Sequence, residues 1–313
     1  MAAHDNVHAD ATIVVRDVGP RDGFQMETAF VTTEQKIEIV NGLIEARLPE
    51  VQVSSFVSPR AVPQLADAAE VLAGIHRRAS VQLSVLVPNA YGAERAAAAG
   101  VDVMEVFCST SETHNQRNIN RSIDHTLSDY ADVVNIARQS SSELRGTIST
   151  AFGCPYEGDI PTAGLLRVAR AFREDLGIQR ITLGDTTGMD TPPLVRSAVN
   201  AIRDALSDVE IGLHFHNTRG IGLVIVMVGL AEGVRRYDAS VGGLGGCPFA
   251  VGATGNVCTE DLVFLLEECG YSTGIDLQRL IEVAQITERV IGRKLSGQVM
   301  KAGPRLNQEG LGG

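Results

Sequence analysis

What this 313-residue sequence most informatively lacks is an excess of basic residues over acidic ones. The chain contains 27 Lys and Arg residues against 38 Asp and Glu residues, which gives a formal net charge of −11. Proteins that bind nucleic acid neutralise its phosphates with clustered basic side chains. We therefore expect no nucleic-acid partner, and an anionic substrate would have to be held by a local basic patch.

Long hydrophobic runs are also missing. The longest, residues 221–230, contains glycines and is too short to cross a bilayer, so it predicts a buried helix. Residues 1–11 carry His, Asp and Asn where a signal peptide needs a basic start followed by an apolar stretch. We therefore expect neither membrane association nor export.

Cysteine is sparse and widely spaced. The five cysteines are Cys108, Cys154, Cys247, Cys258 and Cys269, with no Cys-x-x-Cys pair among them. An odd number at this spacing indicates neither a disulfide framework nor a structural zinc site. These cysteines fit a reducing environment, and we expect a cytoplasmic location.

The chain does contain a regular alternation of short β-branched runs and longer helical patterns. The predicted strands are 12–15, 51–54, 81–87, 101–107, 146–151, 179–183, 210–214 and 237–241. The predicted helices are 33–46, 90–99, 123–139, 161–176, 192–206, 221–233 and 259–269. Eight strand–helix units indicate parallel strands with right-handed crossovers that close into a barrel. The predicted fold class is α/β, a (β/α)8 TIM barrel with additional C-terminal helices.

The domain organisation follows from the same pattern. No low-complexity linker divides the chain, so residues 1–313 are predicted to form one TIM-barrel catalytic domain. Beyond Gly270, Asp276 is a plausible N-cap for a helix over residues 277–293. We expect residues from about 271 to 313 to form a helical extension packed on the barrel.

Two histidines mark the predicted seventh strand. Side chains two residues apart share one face of a strand, so His214 and His216 can bind one cation. A barrel brings all strand ends to one mouth, where Asp22 and Asn256 could complete the site. Two imidazoles, a carboxylate and an amide oxygen suit Mg, Mn, Co or Zn with open positions for substrate.

Two further features point to chemistry at this mouth. Arg21 places a permanent cation beside Asp22, an arrangement that can stabilise a developing enolate oxygen. Residues 240–249, SVGGLGGCPF, form a glycine-dense loop without the Lys-Ser/Thr of a P-loop. We interpret this loop as a mobile lid that carries Cys247 as a reactive thiol, and we interpret the other four cysteines as structural.

Several motifs together resemble the 3-hydroxy-3-methylglutaryl-CoA lyases, members of the metal-dependent lyase and synthase barrels. They are residues 18–25 (VGPRDGFQ), 55–59 (SFVSP), 152–158 (FGCPYEG), 183–186 (LGDT), 214–216 (HFH), the glycine-rich cysteine loop, 255–256 (GN) and 259–261 (TED). The resemblance spans nearly the whole chain.

The resemblance implies a metal-dependent enzyme that cleaves a 3-hydroxyacyl-CoA between C2 and C3 into acetyl-CoA and a keto acid. By matching position, Asp22, His214, His216 and Asn256 would hold Mg or Mn, Arg21 would stabilise the enolate of acetyl-CoA, and Cys247 would help protonate it. Asp22 therefore counts as both a ligand and a catalytic residue. The candidate substrate-binding residues are Gln25, Gln52, Ser55, Asp185, Arg219 and Glu260.

Some positions depart from the family pattern. Gln52 stands where the family has a glutamate that braces the catalytic arginine, so a charge-assisted hydrogen bond becomes a neutral one. Thr28 replaces a lysine near the entrance, and Asn217 replaces an aspartate. The other departures are Phe24, Met26, Arg219 and Ile221. Because the ligand set is intact, we interpret this pattern as an altered acyl substrate, for which Arg219 could clamp a differently placed carboxylate.

Three functions remain open from the sequence. The first is a lyase for hydroxymethylglutaryl-CoA or a related thioester such as citramalyl-CoA. The second is a condensing acyltransferase of the isopropylmalate synthase type, which usually carries a further C-terminal domain. The third is a non-catalytic relative, which Gln52 suggests and the intact ligand set opposes. A homodimer is expected only at the level of the fold.

Overall fold

The computed structural model describes residues 12–246 and 255–305. Eight parallel strands pair in chain order and close into a barrel, with β1 hydrogen-bonded to both β2 and β8. The strands are β1 (Val14–Asp17), β2 (Glu50–Ser55), β3 (Gln82–Leu86), β4 (Val103–Ser109), β5 (Glu143–Ser149), β6 (Arg180–Gly184), β7 (Glu210–His214) and β8 (Arg236–Ala239). The predicted (β/α)8 barrel is confirmed.

Helices lie between the strands and continue after the last one. They are α1 (Thr33–Glu45), α2 (Ala68–Gly74), α3 (Ala90–Ala98), α4 (Glu112–Ile119), α5 (Ile123–Gln139), α6 (Thr162–Arg170), α7 (Pro192–Ala205), α8 (Gly222–Ala231), α9 (Thr259–Glu268), α10 (Leu277–Ile291) and α11 (Val299–Ala302). Within the residues described, no helix has the length and apolar character needed to span a membrane.

Side-chain caps set several helix starts. Thr32 and Gln35 form a reciprocal capping box at α1, because each side chain hydrogen-bonds the backbone of the other. Ser122 caps α5 in the same position, and the predicted cap Asp276 accepts from the backbone N–H of Arg279 at α10. Pro192 opens α7 in its first turn, as the sequence predicted.

The structure contains two helices that the sequence pattern did not predict. One is α2, seven residues long, between β2 and β3. The other is α4, which is polar along most of its length and is capped by the Ser111 hydroxyl. A polar eight-residue helix has too short an apolar face to show a helical period, so its caps and packing decide its formation.

The C-terminal helices are attached to the barrel by close packing. α10 lies against α1, where Gly42 leaves room for Val283: a Cβ at Gly42 would lie 2.7 Å from a methyl of Val283. The segment after α10 reaches the loop that follows β8, where the backbone N–H groups of Ser296 and Gly297 donate to the carbonyl of Gly242. The C-terminal segment therefore supports the start of the glycine-rich loop.

Candidate active site

The candidate site lies at the carboxyl ends of the strands. Arg21 and Asp22 occupy a π-helical turn, Gly19–Gly23, directly after β1. His214 is the last residue of β7 and His216 follows two residues later, paired in an isolated bridge with Asn256. Three distant stretches of chain thus meet at one end of the barrel, where TIM-barrel enzymes carry their active sites.

Asp22, His214 and His216 form a compact cluster. One potential ligand atom from each lies within 4.8 Å of the others, and the two imidazole rings are 5.2 Å apart between centroids. Asp22 and His216 are buried, and His214 is partly buried. This spacing is suited to three groups that bind one ion.

Hydrogen bonds fix the tautomers of both histidines. Nδ1 of His216 lies 2.9 Å from the carbonyl oxygen of Thr186, and Nδ1 of His214 lies 3.2 Å from Oδ2 of Asp238. A carbonyl or carboxylate oxygen only accepts, so Nδ1 carries the proton in each neutral ring and Nε2 carries the lone pair. This is the arrangement that prepares a histidine for metal ligation.

Asn256 supplies the fourth candidate ligand. Its Nδ2 donates to Oδ2 of Asp22 at 2.8 Å and to the carbonyl of Leu244 at 3.0 Å. Its Oδ1 is buried without a hydrogen-bond partner in the described part of the chain, and the same is true of Nε2 of His216. Buried acceptor atoms are seldom left unsatisfied. Two such atoms beside an ionised carboxylate fit a hard or borderline divalent ion.

Arg21 provides the positive charge at this site. Its Nη1 donates to Oδ1 of Asp22 at 2.5 Å, and its Nε donates to Oε1 of Gln52 at 2.5 Å. Burial alone would raise the pKa of Asp22, but the Arg21 guanidinium, together with His216 and His214, outweighs it and holds that pKa well below its usual range. Asp22 is therefore ionised and available as a ligand.

A large cavity opens over these groups. Its volume is about 1020 Å³, and six of the residues selected from the sequence line it: Arg21, Asp22, Gln25, Ser55, His214 and His216. Met26, Leu86 and Phe107 form part of its apolar wall, and Arg117 and Arg121 provide positive charge. The cavity is large enough for an extended ligand with one polar end.

Two further selected residues lie just behind the cavity wall. Gln52 is fully buried and contacts Arg21, and Asn256 is buried and contacts Asp22. Gln25 also contacts Asp22, because its Nε2 donates to Oδ1 at 3.2 Å. These side chains hold the groups that face the cavity.

Besides Gln52, three predicted substrate-binding residues are not among those that line the cavity. Asp185 is buried and accepts from the backbone N–H of Met189 at 2.8 Å, and burial raises its pKa. Arg219 donates to the carbonyl oxygens of Thr187 and Gly188, so its guanidinium holds the loop after β6. Glu260 accepts from the backbone N–H of Gly242 at 3.0 Å, and burial raises its pKa to about 8. Their substrate roles remain predictions.

The glycine-rich loop is described only in part. Gly242, Gly243 and Gly245 have φ values of 64°, 70° and 118°, which favour glycine. At Gly245 a Cβ would also lie 2.5 Å from Nδ2 of Asn256, so the loop backbone passes directly over that side chain. Gly246 lines the cavity. Cys247 itself lies outside the described residues.

Sequence reasoning missed a buried charge network beneath the site. Arg16 forms ion pairs with Glu105 and with Asp238, the residue that orients His214. All three lie inside strands and are nine-tenths or more buried. A charged residue within a short apolar strand pattern was the available signal, because a buried charge requires a partner.

Comparison with known proteins adds an independent observation. The HMGL-like family model matches residues 12–287. The mitochondrial hydroxymethylglutaryl-CoA lyase of Gallus gallus is 41% identical over 294 residues, which cover 94% of this chain and 98% of that protein. A hydroxymethylglutaryl-CoA lyase of Bacillus subtilis is 40% identical over 283 residues, covering 90% and 94% of the two chains.

A similar structure has also been solved with ligands. An HMG-CoA lyase from Acinetobacter baumannii, in complex with coenzyme A and 3-methylmalate, matches with a TM-score of 0.90 at 39% identity. The match covers 98% of both chains. The similarity between the two structures therefore extends over nearly the whole of both chains.

Proposed function

Since this chain belongs to the HMGL-like family, we propose that it is a divalent-metal-dependent carbon–carbon lyase that cleaves 3-hydroxy-3-methylglutaryl-CoA into acetyl-CoA and acetoacetate. The observation that carries this proposal is the cluster of Asp22, His214, His216 and Asn256 beside Arg21 at the floor of a large cavity.

The donor set fits a resident divalent cation, and we propose Mg or Mn. Asp22, His214, His216 and Asn256 would hold it through one carboxylate oxygen, two Nε2 atoms and one amide oxygen. When bound, such an ion acts as a Lewis acid toward the oxygens of the substrate and makes the C3 hydroxyl easier to deprotonate.

The residues of the chain account for the movement of charge. When the C3 hydroxyl gives its proton to a weak base at the site and becomes a carbonyl, the electron pair of the C2–C3 bond passes to C2 and the thioester becomes an enolate. Arg21 lines the cavity and places its permanent charge where that enolate oxygen develops. The thiol of Cys247 would then give a proton to C2, which completes acetyl-CoA; this role rests on the sequence motif alone.

The positions of the departures from the family pattern bear on which acyl group the cavity accepts. Among the departures from which the sequence predicted an altered substrate, Met26 and Thr28 line the cavity, Phe24 is fully buried and Arg219 contacts backbone carbonyls. This placement favours the methylglutaryl thioester and leaves Met26 and Thr28 as residues that could extend the range of acyl groups. A condensing activity would need a 2-oxo acid acceptor, and no described feature of the cavity favours one.

The test is product formation from hydroxymethylglutaryl-CoA with Mn or Mg, followed as acetyl-CoA and acetoacetate in equal amounts. Chelation and Asp22→Asn should both abolish release, whereas Glu50→Gln, a buried carboxylate variant at the opposite end of the barrel, should retain it. Release without any 2-oxo acid excludes the condensing alternative. If the wild type with metal forms no acetyl-CoA from this thioester or from citramalyl-CoA, the proposal is wrong.

We further propose a cytoplasmic location and a homodimer. The thiols of Cys108, Cys154, Cys258 and Cys269 are all free, which supports a reducing compartment. Val224 and Met227 expose apolar surface on α8, which supports self-association. Cell fractionation tests the first proposal and light scattering of the purified protein tests the second.

A further inference from the structure

Gln52 connects the arginine of the active site to a second carboxylate. Its Oε1 accepts from Nε of Arg21 at 2.5 Å, and its Nε2 donates to Oε2 of Glu105 at 2.9 Å. Gln52 is 0% exposed and Glu105 is 1% exposed. The amide between them is therefore fully enclosed, and its geometry determines how the two charged groups are joined.

The orientation of the amide follows from the chemistry of its neighbours. An arginine side chain has only donors, and an ionised carboxylate has only acceptors. Gln52 must therefore turn its oxygen toward Arg21 and its NH₂ group toward Glu105. Charge-assisted hydrogen bonds at both ends polarise the amide in the same direction, which strengthens both.

Glu105 is fixed from its other side. It is ion-paired with Arg16, and it accepts from the Thr147 hydroxyl at 2.5 Å. Arg16 in turn donates from Nε to Oδ1 of Asp238 at 2.8 Å. A carboxylate with this many partners has one position in the folded protein, so it can fix the side chain that contacts it.

We propose that Glu105 is a positioning residue for Arg21, acting through Gln52, and that position 52 is a glutamine because Glu105 already carries the negative charge of the brace. The inference rests on the proposed function for its catalytic consequence. Arg21 is thus held by the neutral amide of Gln52, and Gln52 is held in turn by the charged carboxylate of Glu105. No carboxylate at position 52 contacts the arginine directly.

The same geometry predicts that a glutamate at position 52 would disturb this arrangement. A carboxylate there would face the Glu105 carboxylate across the 2.9 Å that now separates a donor from an acceptor. Two ionised carboxylates at this distance repel, so the pair would need a shared proton or would separate. Arg21 would lose its fixed position in either case.

The test is a double-mutant cycle with Glu105→Gln, Gln52→Glu and the exchange Q52E/E105Q, measured with hydroxymethylglutaryl-CoA at saturating metal. Each single variant should lower kcat about tenfold with little change in KM or in the affinity for Mn, because only the aim of Arg21 is lost. The exchange restores one carboxylate opposite one amide, so it should recover kcat to within about threefold of the wild type.

Glu50→Gln is the matched control. Glu50 is a buried carboxylate held by Arg145 and Arg236 at the other end of the barrel, so the variant should lower the melting temperature without changing kcat. A purely structural role for Glu105 would make Glu105→Gln behave like this control. Equal kcat values for Glu105→Gln and wild type would overturn the proposal.

The exchange variant also decides the matter if Glu105→Gln does not fold. The proposal then requires Q52E/E105Q to fold and to exceed Gln52→Glu in kcat; an exchange no better than Gln52→Glu would overturn it. The same cycle in melting temperature needs no substrate. There the exchange should lose less than the sum of the two single variants, although it shares with Glu105→Gln the loss of the ion pair with Arg16. Recovery in melting temperature with an inactive wild type would refute the proposed function while leaving the pairing intact; no recovery would refute the pairing.

Discussion

The two ends of the barrel use buried charge in opposite ways. At the amino ends of the strands, Glu50 pairs with Arg145 and Arg236, and Arg145 also pairs with Glu143. At the carboxyl ends, Arg21 and Asp22 pair with each other, yet Nε2 of His216 and Oδ1 of Asn256 remain without partners in the described chain. The buried charges at the amino ends thus satisfy one another, and we call this the closed end of the barrel. The carboxyl ends, where two buried polar atoms have no hydrogen-bond partner in the described chain, are the open end.

The cavities follow the same division. The cavity at the amino ends has a volume of about 20 Å³, whereas that at the carboxyl ends has about 1020 Å³. Arg16 and Asp238 lie between the two ends and connect them, since Asp238 orients His214. The comparison teaches that the buried ion pairs are saturated at the end with the small cavity, whereas unsatisfied buried atoms lie beside the large one.

The largest effect should come from removing an unsatisfied group. His216→Ala should abolish measurable Mn binding in titration calorimetry. It should also lower kcat at least about a thousandfold, since a Lewis-acid metal stabilises the transition state of the reaction by several kcal/mol. His76→Ala, a variant at an exposed histidine, is the control. Retained metal affinity in His216→Ala would show that the open end is not a metal site.

At the closed end the loss should appear in stability. Arg145→Met leaves the buried carboxylate of Glu50 short of a partner and should lower the free energy of unfolding by about 3 kcal/mol. Denaturant titration measures this, and kcat should stay within about twofold of the wild type. Arg170→Met removes an exposed ion pair with Glu174 and should change little. A large drop in kcat for Arg145→Met would contradict the division between the two ends.

A charge-conserving change should weaken the open end selectively. Arg21→Lys keeps the charge but cannot contact Gln52 and Asp22 together through a planar fork, so kcat should fall about a hundredfold. The Mn affinity should be preserved, because the four candidate ligands are unchanged. Steady-state kinetics and calorimetry on the same preparation check both statements. A kcat equal to that of the wild type would remove Arg21 from the proposed chemistry.

The smallest effect is the change in stability over a single pH unit. Burial raises the pKa of Glu260 from 4.5 to about 8, so between these values the folded state holds a proton that the unfolded state has lost. The free energy of unfolding should therefore fall as the pH rises through this window, by at most about 1.4 kcal/mol per pH unit for this group. Glu260→Gln should flatten the slope, and the exposed Glu282→Gln should not. Identical slopes in wild type and Glu260→Gln would contradict the shift.

Much of the fold could be predicted because the strand runs are strongly apolar. The predicted seventh strand, 210–214, coincides with β7. The fifth was predicted to begin at 146, yet β5 begins at Glu143, because Glu143 and Arg145 look like loop residues until their partners are known. Those partners come from distant strands, which a local pattern cannot show.

The candidate site could likewise be predicted only in part. The sequence indicated Asp22, His214, His216 and Asn256 because their spacing and position after strands are local properties, and the structure brings the four together. It could not show where the Arg219 side chain points, since backbone carbonyls at Thr187 and Gly188 accept its hydrogen bonds. Nor could it show that Gln52 faces Glu105. Such pairings depend on register around the closed barrel.

The hydrogen bonds from Ser296 and Gly297 to the carbonyl of Gly242 bear on when the enzyme becomes complete. During synthesis, Arg21 and Asp22 are made early, whereas these two hydrogen bonds can form only after residues 296 and 297 have been made. The base of the glycine-rich loop is therefore held first by Glu260 and Asn256 and is fully held only once the segment after α10 has joined the barrel.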